Sequence, residues 1–110
     1  MLRFAVSKML RKSGFHVIEA NDGSSALKVI RTRDDEINLM LLDVTLPGVS
    51  SREVVEQARV TRPNLKVILT SAYGRETVET SFAGLRVDHF IRKPFQMADL
   101  MSLLREVLTT

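Results

Sequence analysis

Two short runs constrain this chain more than anything else in it. Ile37 to Asp43 reads Ile-Asn-Leu-Met-Leu-Leu-Asp, and Lys66 to Ser71 reads Lys-Val-Ile-Leu-Thr-Ser. Each is almost continuously apolar yet shorter than an ordinary helix, which is the pattern of a strand buried on both faces. Between them, Ser50 or Ser51 can cap a helix that runs to about Arg62, where Pro63-Asn64 ends it. A strand covered on both faces requires layers above and below it, so the chain is expected to place helices on both sides of a sheet.

The remaining sequence keeps that rhythm. Met1 to Gly14 carries Leu2, Ala5, Val6, Met9 and Leu10 as one apolar stripe, with Arg3, Lys8, Arg11 and Lys12 and no acid before Glu19. A basic, acid-free amphipathic segment can be an organelle transit peptide. Here it reads as a first helix stopped by Ser13-Gly14, because the following pattern needs a helix at that place. His16 to Ala20 is short and β-branched, hence a strand; Asn21-Asp22-Gly23 is turn chemistry, and Ser24 can cap a helix to about Arg33. Leu46-Pro47-Gly48 makes a loop. A helix follows from about Arg75 to Gly84, a strand from Val87 to Arg92, and a last helix from about Met97 to Leu108. Alternating strands and helices with short connections imply a doubly wound parallel sheet with right-handed crossovers, an α/β fold.

Length and composition narrow the function. At 110 residues, 45% of them apolar, the chain has room for one domain with one core. The absence of cysteine excludes a disulfide framework, a thiolate zinc site and a cysteine nucleophile. The longest apolar run, Leu39 to Leu42, is far short of a membrane span. Sixteen basic residues against thirteen acidic leave a net charge of +3, which does not call for a nucleic-acid partner. His16 and His89 lack metal-ligand spacing, and no Gly-rich phosphate loop or Ser/His/Asp arrangement is present.

Sheets of this kind bind ligands outside the carboxyl ends of their strands. Three polar residues fall there: Asp43, Ser71 and, just past the last strand, Lys93. Together they suit phosphoryl chemistry. A carboxylate can accept a phosphoryl group, a hydroxyl can hydrogen-bond its oxygens, and an ammonium can neutralise them. Singly, each is a common solvated residue or cap. Thr70 is the neighbouring hydroxyl.

With these residues in view, the sequence resembles the receiver domain of two-component response regulators, chemotaxis-regulator-like in its outline. The resemblance rests on Leu41-Leu42-Asp43-Val44-Thr45-Leu46-Pro47-Gly48, on Val67-Ile68-Leu69-Thr70-Ser71-Ala72-Tyr73 and on Phe90-Ile91-Arg92-Lys93-Pro94-Phe95. Ser71 follows Asp43 by 28 residues and Lys93 follows Ser71 by 22, as in the family. Glu19-Ala20-Asn21-Asp22-Gly23 with Ala26-Leu27 also matches, and the likeness runs from about Leu2 to Leu108. It implies a flavodoxin-like receiver fold. It implies Asp43 as the phosphoacceptor, taking its phosphoryl group from a histidine kinase or phosphotransfer protein. Lys93 would pair with that group, before a cis bond to Pro94. Ser71 would be the switch hydroxyl and Phe90 the switch aromatic, the ring changing a partner-binding face made by the fourth helix, last strand and last helix. Such a domain is not an enzyme beyond a weak autophosphatase activity, and it is cytoplasmic. Core packing explains Phe90 equally well, and Tyr73 and Phe95 read as packing or edge residues. The Ser-Ala-Tyr and Lys-Pro-Phe phrasing resembles receivers of hybrid sensor kinases.

One departure stands against these matches. Receivers open with a buried strand ending in two adjacent acids that bind magnesium, whereas this chain starts inside the expected first helix. Asp22, Asp34 and Asp35 lie away from the expected pocket, so Asp43 and the backbone carbonyl of Thr45 form an incomplete Mg²⁺ site. Weak magnesium binding and poor phosphorylation are expected. Residues 1–110 are read as one receiver domain, truncated at its N-terminus and lacking the first β-strand. The competing readings are a degenerate, phosphate-independent interaction module and a gap filled by another chain, as in a strand-exchanged homodimer. With no DNA-binding unit after the last helix and no membrane segment, the implied partners are proteins.

Overall fold

The computed structural model describes residues 2–32, 37–45 and 50–109. The elements run α1 (Leu2–Lys12), α2 (Gly23–Thr32), β1 (Leu39–Asp43), α3 (Ser51–Thr61), β2 (Lys66–Ser71), α4 (Arg75–Ser81), β3 (His89–Arg92) and α5 (Met97–Thr109). Asp34 and Asp35, like Leu46, Pro47 and Gly48, lie outside the described residues.

The three described strands form one parallel sheet in the order β1-β2-β3, with Asp43 opposite Thr70 and Leu69 opposite Phe90. Side chains alternate between two cores. Met40, Leu42, Val67, Leu69 and Phe90 pack with α2, α3 and α4 through residues such as Leu27, Val54 and Val78. Leu39, Leu41, Ile68 and Ile91 pack with α1 and α5 through Leu10, Leu100 and Leu104. Helices therefore cover both faces, as the apolar runs require. Among the described residues no helix is long and apolar enough to cross a membrane.

Local signals explain most boundaries. Gly14 adopts φ +97° just beyond α1, a conformation that favours glycine at a helix end. The Ser50 side chain caps α3 by accepting the Glu53 N–H, which settles the choice between Ser50 and Ser51. Two expectations need correction. Ser24 does not cap α2: the Asp22 carboxylate accepts the Ser25 N–H at 2.8 Å, and the helix starts at Gly23. This contact holds the Asp22 carboxyl below its usual range, through the Ser25 backbone first. His16 to Ala20 is not a strand, although Phe15 and Val17 pack against one core and Ala20 against the other, as a strand's alternation would have them. A strand exists only through a ladder, and no described residue supplies one beside this segment.

Guanidinium groups tie the connections down. Arg52 donates to the carbonyls of Ser81 and Ala83, Arg62 to that of Ile30, and Arg11 to that of Val17. Arg59 donates to Leu65, Pro63 and Arg86 and pairs with Asp88, while Arg86 donates to Pro63. Each fork answers carbonyls that the helix ends and loops leave open.

Candidate functional site

The carboxyl ends of β1 and β2 and the turn after β3 converge on Asp43. Lys93 Nζ donates to Asp43 Oδ2 in a close ion pair, about 30% of each side chain being exposed. The Lys93 main chain is fixed as well: its N–H donates to the Ser71 carbonyl at 2.9 Å, and the Lys93–Pro94 peptide is cis. The other carboxylate oxygen, Oδ1, accepts both the Thr45 N–H at 2.9 Å and the Thr45 hydroxyl at 2.8 Å. Partial burial pushes the Asp43 carboxyl up, but the bonds from Lys93 and Thr45 outweigh it and hold the group below the usual carboxylate range. Asp43 is thus an anion, with a donor on each oxygen.

Backbone support comes from below. Val44 N–H continues the ladder onto the Thr70 carbonyl, and the buried Ser51 hydroxyl donates to the carbonyls of Val44 and Asp43 at 2.5 and 3.1 Å. Ser71 is fully buried, and its Oγ accepts the Tyr73 N–H at 2.9 Å. A hydroxyl accepting in that bond keeps its own hydrogen for another oxygen. Thr70, the Cα partner of Asp43, is buried, and its Oγ1 has no hydrogen-bond partner among the described residues. Phe90 lies away from the carboxylate, lining a cavity of about 300 Å³ with Leu69, Val78 and Phe82, and the Arg75 guanidinium stands 5.6 Å from its ring centre. Tyr73 is 58% exposed, whereas Phe95 packs against the core shared by α1 and α5.

Asp43, Lys93 and Ser71, chosen from the sequence, are therefore brought together by direct or backbone contacts. The Thr45 hydroxyl, Ser51 and Arg75 were missed. A polar residue two positions after a strand-end acid was a usable signal for Thr45; Arg75 lay among many basic residues with nothing to single it out.

Magnesium requires several oxygen ligands in near-octahedral array. Both oxygens of Asp43 already hold donors from this chain, and Asp22 is engaged as the α2 cap. Among the described residues no group of three or more His, Cys, Asp or Glu could hold a metal ion. The donor set present does not fit the ion.

The family model for the response regulator receiver domain matches residues 1–105. This chain belongs to the response regulator receiver family. Relatives include the probable transcriptional regulatory protein TcrX of Mycobacterium tuberculosis, 35% identical over 94% of this chain and 43% of its own length. CpxR of Escherichia coli K12 is 33% identical over the same shares. The chain spans between a quarter and a half of the curated relatives it matches first, 25% in one case and 48% in another. Among solved structures, the receiver domain of NtrX from Brucella abortus superposes with a TM-score of 0.86 at 27% identity, covering 99% of this chain and 91% of that one. The receiver of the sensor kinase PA1611 from Pseudomonas aeruginosa, whose structure has magnesium in its active-site cleft, shares the fold at TM-score 0.86 and 19% identity, over 98% of this chain and 88% of that one. The receiver fold and its place in two-component signalling are thereby established for this chain.

Proposed function

We propose that this receiver accepts a phosphoryl group on Asp43 from a phosphohistidine of a partner protein. The observation that carries the reading is the Asp43–Lys93 ion pair, set at the strand ends beside Ser71. In the transfer, a carboxylate oxygen attacks phosphorus, the P–N bond breaks with its electron pair leaving on the imidazole, and a mixed anhydride forms on Asp43. Lys93, already in place, neutralises the transferred group, and Ser71 supplies a hydroxyl hydrogen to one of its oxygens. Phe90 and the α4–β3–α5 face carry the output to a downstream protein. Oδ1 is occupied by both Thr45 donors, whereas Oδ2, with Lys93 alone, keeps a lone pair for the attack.

Incubation with a phosphohistidine donor protein or acetyl phosphate, followed by intact mass measurement, tests this. A slow single-phosphoryl adduct that Asp43→Asn abolishes is expected, with magnesium changing its rate little. Absence of any Asp43-dependent adduct overturns the phosphoacceptor reading. Fast, magnesium-dependent labelling overturns the mismatch with the ion. A phosphate-independent interaction module is the second reading, favoured by the donors on both Asp43 oxygens; it requires partner binding that Asp43→Asn leaves unchanged.

A further inference from the structure

We propose that Ser51 is a positioning residue for Asp43: through the peptide unit between Val44 and Thr45, its hydroxyl holds the carboxylate turned so that Oδ2 is the oxygen left to react. Ser51 is the first residue of α3, and Ser50 before it already caps the helix by accepting the Glu53 N–H. The Ser51 side chain is therefore not needed as a cap. It is buried, 4% exposed, and turns back to the end of β1. Its single hydroxyl hydrogen is shared by the Val44 carbonyl at 2.5 Å and the Asp43 carbonyl at 3.1 Å.

The two peptide units after Asp43 are pinned on both sides. In the first, the Asp43 carbonyl faces Ser51 while the Val44 N–H donates to the Thr70 carbonyl at 2.9 Å. In the second, the Val44 carbonyl accepts from Ser51 while the Thr45 N–H donates to Asp43 Oδ1 at 2.9 Å. A peptide unit is planar, so fixing its carbonyl fixes the direction of its N–H. The Ser51 bond also polarises that unit and strengthens the donor at its other end. A relay thus runs from Ser51 across one peptide to Oδ1, where the Thr45 hydroxyl joins it at 2.8 Å. With Oδ1 held by Thr45, Oδ2 is turned toward Lys93. The anchor is rigid, because Ser51 shares a face of α3 with Val54, Val55 and Ala58, all fully buried. The consequence for transfer rests on the phosphoacceptor reading: attack on phosphorus needs one aimed oxygen, and a carboxylate free to turn would present Oδ1 and Oδ2 in alternation.

Two variants of the full chain separate this role from helix capping. Ser51→Ala removes the hydroxyl and keeps the cap, whereas Ser50→Ala removes the cap and keeps the hydroxyl. In residue-resolved amide exchange without any phosphodonor, the Thr45 N–H should exchange about three- to tenfold faster in Ser51→Ala and change far less in Ser50→Ala. With acetyl phosphate, the saturating rate of Asp43 labelling should fall about three- to tenfold in Ser51→Ala, with the half-saturating concentration unchanged. Ser50→Ala should label close to the parent rate. Unchanged Thr45 exchange in Ser51→Ala overturns the proposal. So does a loss of labelling rate that Ser50→Ala reproduces, or one that appears only in the half-saturating concentration. The exchange measurement needs no phosphoryl transfer, so the two readings fail separately: a parent chain that takes no label overturns the phosphoacceptor reading, while Thr45 still decides the placement of the carboxylate.

Discussion

Asp88 accepts the Val67 N–H at 2.7 Å and Arg59 Nη2 at 3.2 Å through a single oxygen, with 18% of its side chain exposed. Burial pushes its carboxyl up; the Val67 and Arg59 bonds and the charges of Arg59 and Arg86 outweigh that and hold it below the usual range. Asp43 shows the same balance at the strand ends, where we propose that it accepts a phosphoryl group. Asp88 is placed to join β2 to the start of β3 and to do nothing else. Its depressed value means the unfolded chain binds the proton more readily, so the stabilisation is complete above the ordinary carboxylate range. It is lost as pH falls through the folded value. Asp88→Asn should therefore cost about 1–2 kcal/mol near neutral pH. In urea unfolding across a pH series, the gap to the parent chain should narrow toward acid; a gap independent of pH would contradict this assignment.

α4 shows how little of an element need be its own. It has seven residues, its N-cap Gly74 offers no side-chain bond, and a helix this short is not stable alone. Val78 and Phe82 bury one side, Arg52 closes the carbonyls at the far end, and Arg75 reaches over Phe90 at the near end. Arg52→Met keeps the stem and removes the fork, and should speed amide exchange in α4 by about three- to tenfold with global stability changed by under about 1 kcal/mol. Equal acceleration in α5 would refute the local role. The sequence shows α4 starting at Arg75 but suggests an end at Gly84, because the fork that closes the helix at Ser81 comes from 29 residues earlier. β2 and the start of α5 were legible to the residue, being set by local apolar runs and caps. The His16–Ala20 strand was misread for the opposite reason: its pattern is strand-like, but strand formation depends on a neighbour. Asp43, Ser71 and Lys93 were legible as a cluster because each stands at or just past the carboxyl end of a strand, and Thr45 could have been read from its place two residues after Asp43, whereas Ser51 acts on backbone carbonyls that spacing does not encode.

At the scale of the whole molecule, the Cα radius of gyration of 13.1 Å equals that of an ordinary compact domain of this length, about 13 Å. At one edge of the described sheet, β3 ends on the exposed Arg92 and is followed by Pro94, so charge and shape protect it. The net charge of +3 is not a free basic surface, because much of the arginine is engaged with carbonyl groups. The guanidinium–carbonyl ties also set the chemical vulnerability of the chain. A planar fork cannot be replaced by a point charge, so dicarbonyl reagents selective for arginine should abolish the cooperative thermal transition. Reductive methylation, which keeps every lysine positive, should leave that transition in place, as circular dichroism melts of the two treated samples would show. The two reagents separate what positive charge does here from what shape does: arginine is the mortar of the frame, and Lys93 is the ammonium paired with Asp43 at the strand ends.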